Sequence, residues 1–248
     1  MEHIAEFGDE RQKAWCVHCG ELLDSGSTRD HIPTRAFLDK PYPAHLPVVE
    51  VCLACNKGLS KDEQYFVALL GCIMSGTAEV DDQPDRRIAQ MLAESPGLRE
   101  RIASARRVNP APSGRALVSW EYEAPRLERV IVKNARGHFL FECNEPMASE
   151  PKRVWFAALE SLSDAQRREF EGVADPFTDR FEPDARIVLP ELGSRAMTRV
   201  LTGADTVAGW IEVQDGVYRY AVEQIGEATR VRSVLREHMA TEVVWEDR

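Results

Sequence analysis

From Tyr65 to Met74 the chain carries an almost unbroken apolar run, which predicts a buried helix. Asn56 or Ser60 can cap it, and Asp62 and Glu63 suit its first turn. Ahead of it, Pro47 to Val51 suits a short strand. Pro33 biases Ile32 to an extended conformation, so Asp30-His31 should close a strand or turn. Ser75-Gly76-Thr77 reads as a break. Ile88, Met91 and Leu92 then fall at helical spacing, and Leu98 to Val108 reads as a short basic amphipathic helix after Pro96-Gly97.

The clearest linker is Asn109-Pro110-Ala111-Pro112-Ser113-Gly114. Beyond it, Ala116 to Glu123 alternates as a strand does. Arg126 to Phe141 repeats apolar residues at three- and four-residue steps, predicting a helix with Gly137 as a blemish near its end. Arg153 to Ala158 reads as a strand, and Ser163 to Gln166 forms a capping box that opens a helix to Gly172. Gly209 to Val213, Asp215-Gly216 and Val217 to Val222 give a hairpin signal. Val231 to Leu235 and Glu242 to Trp245 read as further strands, with Trp210, Tyr218, Tyr220 and Trp245 as sheet packing.

Composition narrows the picture. The 248 residues include 31 Lys+Arg against 41 Asp+Glu, a net charge of −10 that disfavours sequence-blind nucleic-acid binding over the whole surface. A local exception runs from Arg99 to His138, with nine basic and four acidic residues. Solvated helix faces account for it more simply than a phosphate track, and the same holds for Lys133, Arg136 and His138 within it. The longest apolar stretch, Phe66 to Met74, is far short of the roughly 20 residues of a membrane span. With no basic end and apolar core at the start, a cytoplasmic protein is expected.

The chemistry lies in the cysteines. Cys16 and Cys19, and Cys52 and Cys55, form two pairs, each with two intervening residues, 32 residues apart. Such spacing lets a tight turn aim two sulfurs at one tetrahedral ion, and two such knuckles make a four-cysteine structural zinc site. His18 is an alternative ligand. Cys72 and Cys143 read as small buried hydrophobes.

Between and after the knuckles stand Asp30-His31-Ile32-Pro33, His45, and Asn56-Lys57-Gly58-Leu59-Ser60-Lys61-Asp62. Over roughly residues 14–70 this combination resembles the zinc-stabilised HNH endonucleases, the ββα-metal nuclease fold. The resemblance implies an HNH-like zinc nuclease module (1–75); with the linker and the element pattern, the chain is expected to be α+β, a helical connector (76–109) and a mixed α+β accessory domain (110–248) following the module. The resemblance aligns His31 with the catalytic His that closes the first strand and Asn56 with the position near the helix start. His45 stands where the family has its middle Asn.

Phosphodiester hydrolysis asks for a base and a cation. His31 suits the base. Asp30 and Asn56 offer hard oxygens suited to Mg²⁺ or Mn²⁺, and Lys57, Lys61, Arg29 and Arg35 are candidate phosphate contacts. The expected partner is nucleic acid, most simply DNA, with RNA left open. A protein partner or oligomer through the C-terminal part is the further expectation. The alternative is a non-catalytic nucleic-acid or protein interaction module on the same zinc frame.

Overall fold

The computed structural model describes residues 2–5, 12–23, 26–110, 116–174, 181–182, 186–188, 209–225 and 228–246. The fold is α+β. It divides into two compact units, Met1–Gly58 with Ile131–Arg248, and Leu59–Val130. In chain order the elements are β1 (Glu2–Ala5), β2 (Ser27–His31), β3 (His45–Cys52), α1 (Leu53–Ser75), α2 (Arg86–Glu94), α3 (Pro96–Ala105), β4 (Arg106–Pro110) and β5 (Ala116–Trp120). There follow α4 (Ala124–Cys143), β6 (Arg153–Ala158), α5 (Asp164–Glu171), β7 (Val173–Ala174), β8 (Phe181–Glu182), β9 (Arg186–Val188), β10 (Trp210–Gln214), β11 (Tyr218–Ile225), β12 (Ala228–Leu235) and β13 (Met239–Glu246). None of the described helices is long and apolar enough to cross a membrane.

Among the described residues the first unit holds the short β7–β8 pair and two larger sheets. In the smaller, ordered β1-β3-β2, β2 and β3 pair antiparallel from Ser27 opposite Cys52 to His31 opposite Val48, and β1 runs parallel to β3. In the larger, ordered β6-β13-β12-β11-β10-β9, the strands are antiparallel except for β9 beside β10. The Asp215-Gly216 signal does mark the β10–β11 hairpin, with Gly216 at φ +64°. The β12–β13 turn places Arg236 and Glu237 at φ +52° and +46°, a left-handed backbone that favours Gly or Asn. Side-chain pairs hold it there: Arg236 donates to both Asp39 oxygens at 2.6 and 3.1 Å, and Arg219 to both Glu237 oxygens at 2.7 and 3.0 Å.

One face of the larger sheet meets α4. His138 stacks on Tyr220 with ring centroids 3.7 Å apart, shares a 2.9 Å hydrogen bond with the Tyr218 hydroxyl, and is 1% exposed. The Tyr220 hydroxyl donates to Glu142 at 2.6 Å. The opposite face packs Trp210, Ala221, Val234 and Ala240 on Leu159 and on Phe170 of α5. The capping box on α5 forms as the sequence signals, with the Ser163 hydroxyl accepting from the Gln166 amide. Arg219 and Arg232 lie over the Trp210 ring, 4.4 and 5.2 Å from its centre.

The second unit is mainly helical. Gly76, at φ +76°, ends α1. Asp62 on α1 accepts from Arg126 at 2.6 Å and Arg129 at 2.8 Å, and Asp85 caps α2. The basic helix expected to reach Val108 stops at Ala105 instead. Arg106–Pro110 pairs antiparallel with Ala116–Trp120, and strand pairing overrides the local helical spacing. Of the linker Asn109–Gly114, residues 111–114 lie outside the described residues; the strands on either side pair with each other.

A second correction concerns α4. Lys133, Arg136 and His138 are not solvated; they are 3, 8 and 1% exposed. His138 pairs with the Tyr218 hydroxyl, while Lys133 and Arg136 reach Asp30 and the His18 carbonyl, more than a hundred positions away, and these two lead to the site.

Candidate metal centre

The first knuckle is a tight turn in which the Gly20 amide donates to the Cys16 carbonyl at 2.8 Å and the Cys16 amide to the Glu21 carbonyl at 2.8 Å. Gly20 takes φ +72°, a conformation that a side chain would strain. The bridge between Trp15 and Leu22 closes the knuckle. In the second knuckle Cys52 is the last residue of β3 and Cys55 lies in the first turn of α1, where its amide donates to Cys52 Sγ at 3.3 Å. The helix therefore starts at Leu53, and Asn56 and Ser60 lie inside it rather than before it.

All four sulfurs lie within 4.8 Å of one another, with Cys19 Sγ and Cys52 Sγ 3.9 Å apart. A tetrahedral zinc with bonds of about 2.3 Å has sulfur–sulfur edges of about 3.8 Å, so the donor set fits that ion. The Cys55 amide lowers the Cys52 thiol's pKa, whereas burial raises that of Cys55. A bound cation favours all four as thiolates. Cys72 is buried, as a small hydrophobe is expected to be.

Around this centre stands a set of polar contacts that ties it to α4. His18 Nε2 lies 3.2 Å from Asp30 Oδ2, and Lys133 Nζ is 2.8 Å from the same oxygen. The side chains of His18, Asp30 and Lys133 are only 5, 10 and 2% exposed. Arg136 donates to the carbonyl of His18 and, at 3.0 Å, to that of Ser149. Burial alone would raise the Asp30 carboxyl, but the His18 hydrogen bond and the Lys133 charge hold it below the usual range. Burial lowers His18 against the pull of Asp30, which favours a neutral imidazole.

The strand end is fixed from the same helix. The Thr34 amide donates to Asn134 Oδ1 at 2.8 Å. A Cβ on Gly137 would lie 2.2 Å from Ile32 Cδ1, so this glycine lets α4 approach β2 closely and is no blemish. Ile32, Val49 and Val51 share one apolar cluster with Cys16, Val17 and Leu140.

His31 is the last residue of β2 and His45 the first of β3; both are half-buried. Asn56 donates to Thr28 Oγ1 at 2.7 Å. Side chains alternate along a strand, so Thr28 and Asp30 share one face and Arg29 and His31 the other. Asp30 and Asn56 are thus brought to one side of β2, and His31 to the opposite side.

A divalent ion does not fit the oxygens there. One carboxylate, already neutralised by a buried ammonium, and one amide are a poor donor set for Mg²⁺ or Mn²⁺, which favour several hard, anionic oxygens. Lys133, Asn134 and Arg136 are what the sequence reading missed. The available signal was apolar residues on both sides of the charges, with Val130, Ile131, Ala135 and Phe139 surrounding them, the mark of a helix buried all round. No protein-family model, curated protein or solved structure matches the chain.

Proposed function

We propose that the protein acts on nucleic acid, most simply DNA, through an HNH-type ββα module held by structural zinc, with His31 as the general base of phosphodiester hydrolysis. The observation that carries this reading is His31 at the end of β2, in a strand–strand–helix unit whose β3–α1 junction brings Cys52 and Cys55 to the Cys16 and Cys19 that precede β2. Imidazole ordinarily titrates near neutrality, which suits it to take a proton from water. Its place at the strand end, before the 32–44 connection, gives it an anchored backbone beside an irregular segment. Arg29, with a side chain 68% exposed, and the exposed Lys57 are the phosphate contacts in this reading. The setting is proposed as the cytoplasm, where thiols stay reduced for metal, with the C-terminal part selecting substrate or partner.

One observation favours a second reading, a binding module without turnover: Asp30 Oδ2 is held by both Lys133 and His18. Supercoiled plasmid separates the two. Nicking by wild type that vanishes in His31→Ala supports the hydrolase. Retention of plasmid without nicking, with or without Mn²⁺, supports the binder. Equal nicking by both proteins refutes His31 as the base.

A further inference from the structure

We propose that Lys133 is the resident cation of this module: its ammonium takes the place on Asp30 that a divalent ion would occupy, and the strand end carrying His31 is held without one. The inference rests on the ββα reading above, though not on its turnover.

The geometry is direct. Lys133 Nζ sits 2.8 Å from Asp30 Oδ2, and His18 Nε2 is 3.2 Å from the same atom. The lysine side chain is 2% exposed and the aspartate's 10%, so neither exchanges partners freely with water. A hydrated dication must shed water to enter, and Mg²⁺ does so reluctantly. On the other carboxylate oxygen it would still lie within a few ångströms of a buried like charge, where repulsion is poorly screened.

The organising role of a metal also passes to α4. Lys133 holds Asp30, Asn134 accepts from the Thr34 amide just beyond the strand, and Arg136 holds the His18 carbonyl of the first knuckle. These three residues, within four positions of one helix, fix both flanks of His31. The four-cysteine centre and α4 thereby supply rigidity that a metal on Asp30 would otherwise provide.

The test is Mn²⁺ uptake by the full, zinc-loaded chain, read from the electron paramagnetic resonance signal of free Mn²⁺. Wild type, Asp30→Asn, Lys133→Arg, Lys133→Met and the Asp30→Asn/Lys133→Met double variant are compared. The expected result is equal, weak uptake by wild type, Asp30→Asn and Lys133→Arg. Lys133→Met should bind at least tenfold more tightly, and the double variant should lose that gain. A merely structural lysine gives no such gain and no difference between Arg and Met.

Uptake by wild type that Asp30→Asn abolishes overturns the proposal. If the single variants fail to fold, amide spectra of wild type with Mn²⁺ decide: broadening centred on residues 28–32 overturns it, and unbroadened signals there uphold it. The titration reads metal and not cleavage. A chain that cuts no DNA therefore refutes the hydrolase alone, whereas Asp30-dependent uptake by the wild-type chain refutes this inference alone.

Discussion

Gly137→Ala sets two effects of opposite sign against each other. In an exposed helix the substitution would stabilise by about 1 kcal/mol, because glycine loses more backbone freedom on folding. Here the added Cβ would meet Ile32 Cδ1 at 2.2 Å, Cγ1 at 2.6 Å and Cγ2 at 3.3 Å. Carbon atoms rest about 3.5–4.0 Å apart, so the isoleucine or the helix must move by more than an ångström. Ile32 has little room to move. It is 1% exposed, packed among Cys16, Val17, Val49 and Leu140, and its amide is bonded to the Pro47 carbonyl at 2.9 Å. Overpacking of this kind costs about 1–3 kcal/mol, and the misplacement here is near the upper end, so a net loss of about 1–2 kcal/mol is expected. In urea unfolding of the zinc-loaded protein the midpoint should fall by roughly 0.5–1 M. Ile32→Val removes the nearest clashing atom, so it should restore part of that loss in the Gly137→Ala background while costing about 0.5–1.5 kcal/mol alone. An unchanged or higher midpoint for Gly137→Ala, or strictly additive costs, would refute the close packing of β2 on α4.

His138 gives a pH-dependent prediction. Complete burial between Tyr218 and Tyr220 pushes its pKa down to about 3, against 6.5 for an ordinary histidine. Below pH 6.5 the unfolded chain binds a proton that the folded chain refuses, so stability falls with pH at about 1.4 kcal/mol per unit, or about 2 kcal/mol by pH 5. His138→Phe should flatten that slope in urea midpoints taken at pH 5 and 7; equal slopes would contradict the buried neutral imidazole. Asn134→Ala leaves the buried Thr34 amide unpaired and should cost about 1–3 kcal/mol without changing zinc content. Loss of zinc in that variant would mean that α4 shapes the knuckles more directly than these contacts indicate.

The parts of the site that were legible in sequence are those made by short-range geometry. Cys-x-x-Cys specifies a knuckle because two intervening residues are all that a turn needs, and Pro33 marks the end of β2 because it restricts Ile32. The α5 capping box and the Asp215-Gly216 turn are local in the same sense. The start of α1 was misplaced because Cys52 ends one element and Cys55 opens the next, a junction that follows from aiming four sulfurs at one point. The turn at Arg236-Glu237 carries no glycine or asparagine; Asp39 and Arg219, both distant in sequence, hold it. The largest miss was α4, whose Lys133 and Arg136 read as surface charges. Their partners, Asp30 and the His18 carbonyl, lie more than a hundred positions away, and no local pattern announces such a pairing.

The most direct measurement is metal content together with the spectrum of the Co²⁺-substituted protein. Wild type purified without chelators should carry about one zinc per chain. Co²⁺ in its place should show the intense visible bands of a tetrahedral tetrathiolate, lost in Cys52→Ser. Removing the zinc should unfold the β2–β3 region, because the four sulfurs join its two ends. A chain that carries no zinc, or that folds and binds Co²⁺ equally without Cys52, would contradict the account at its base.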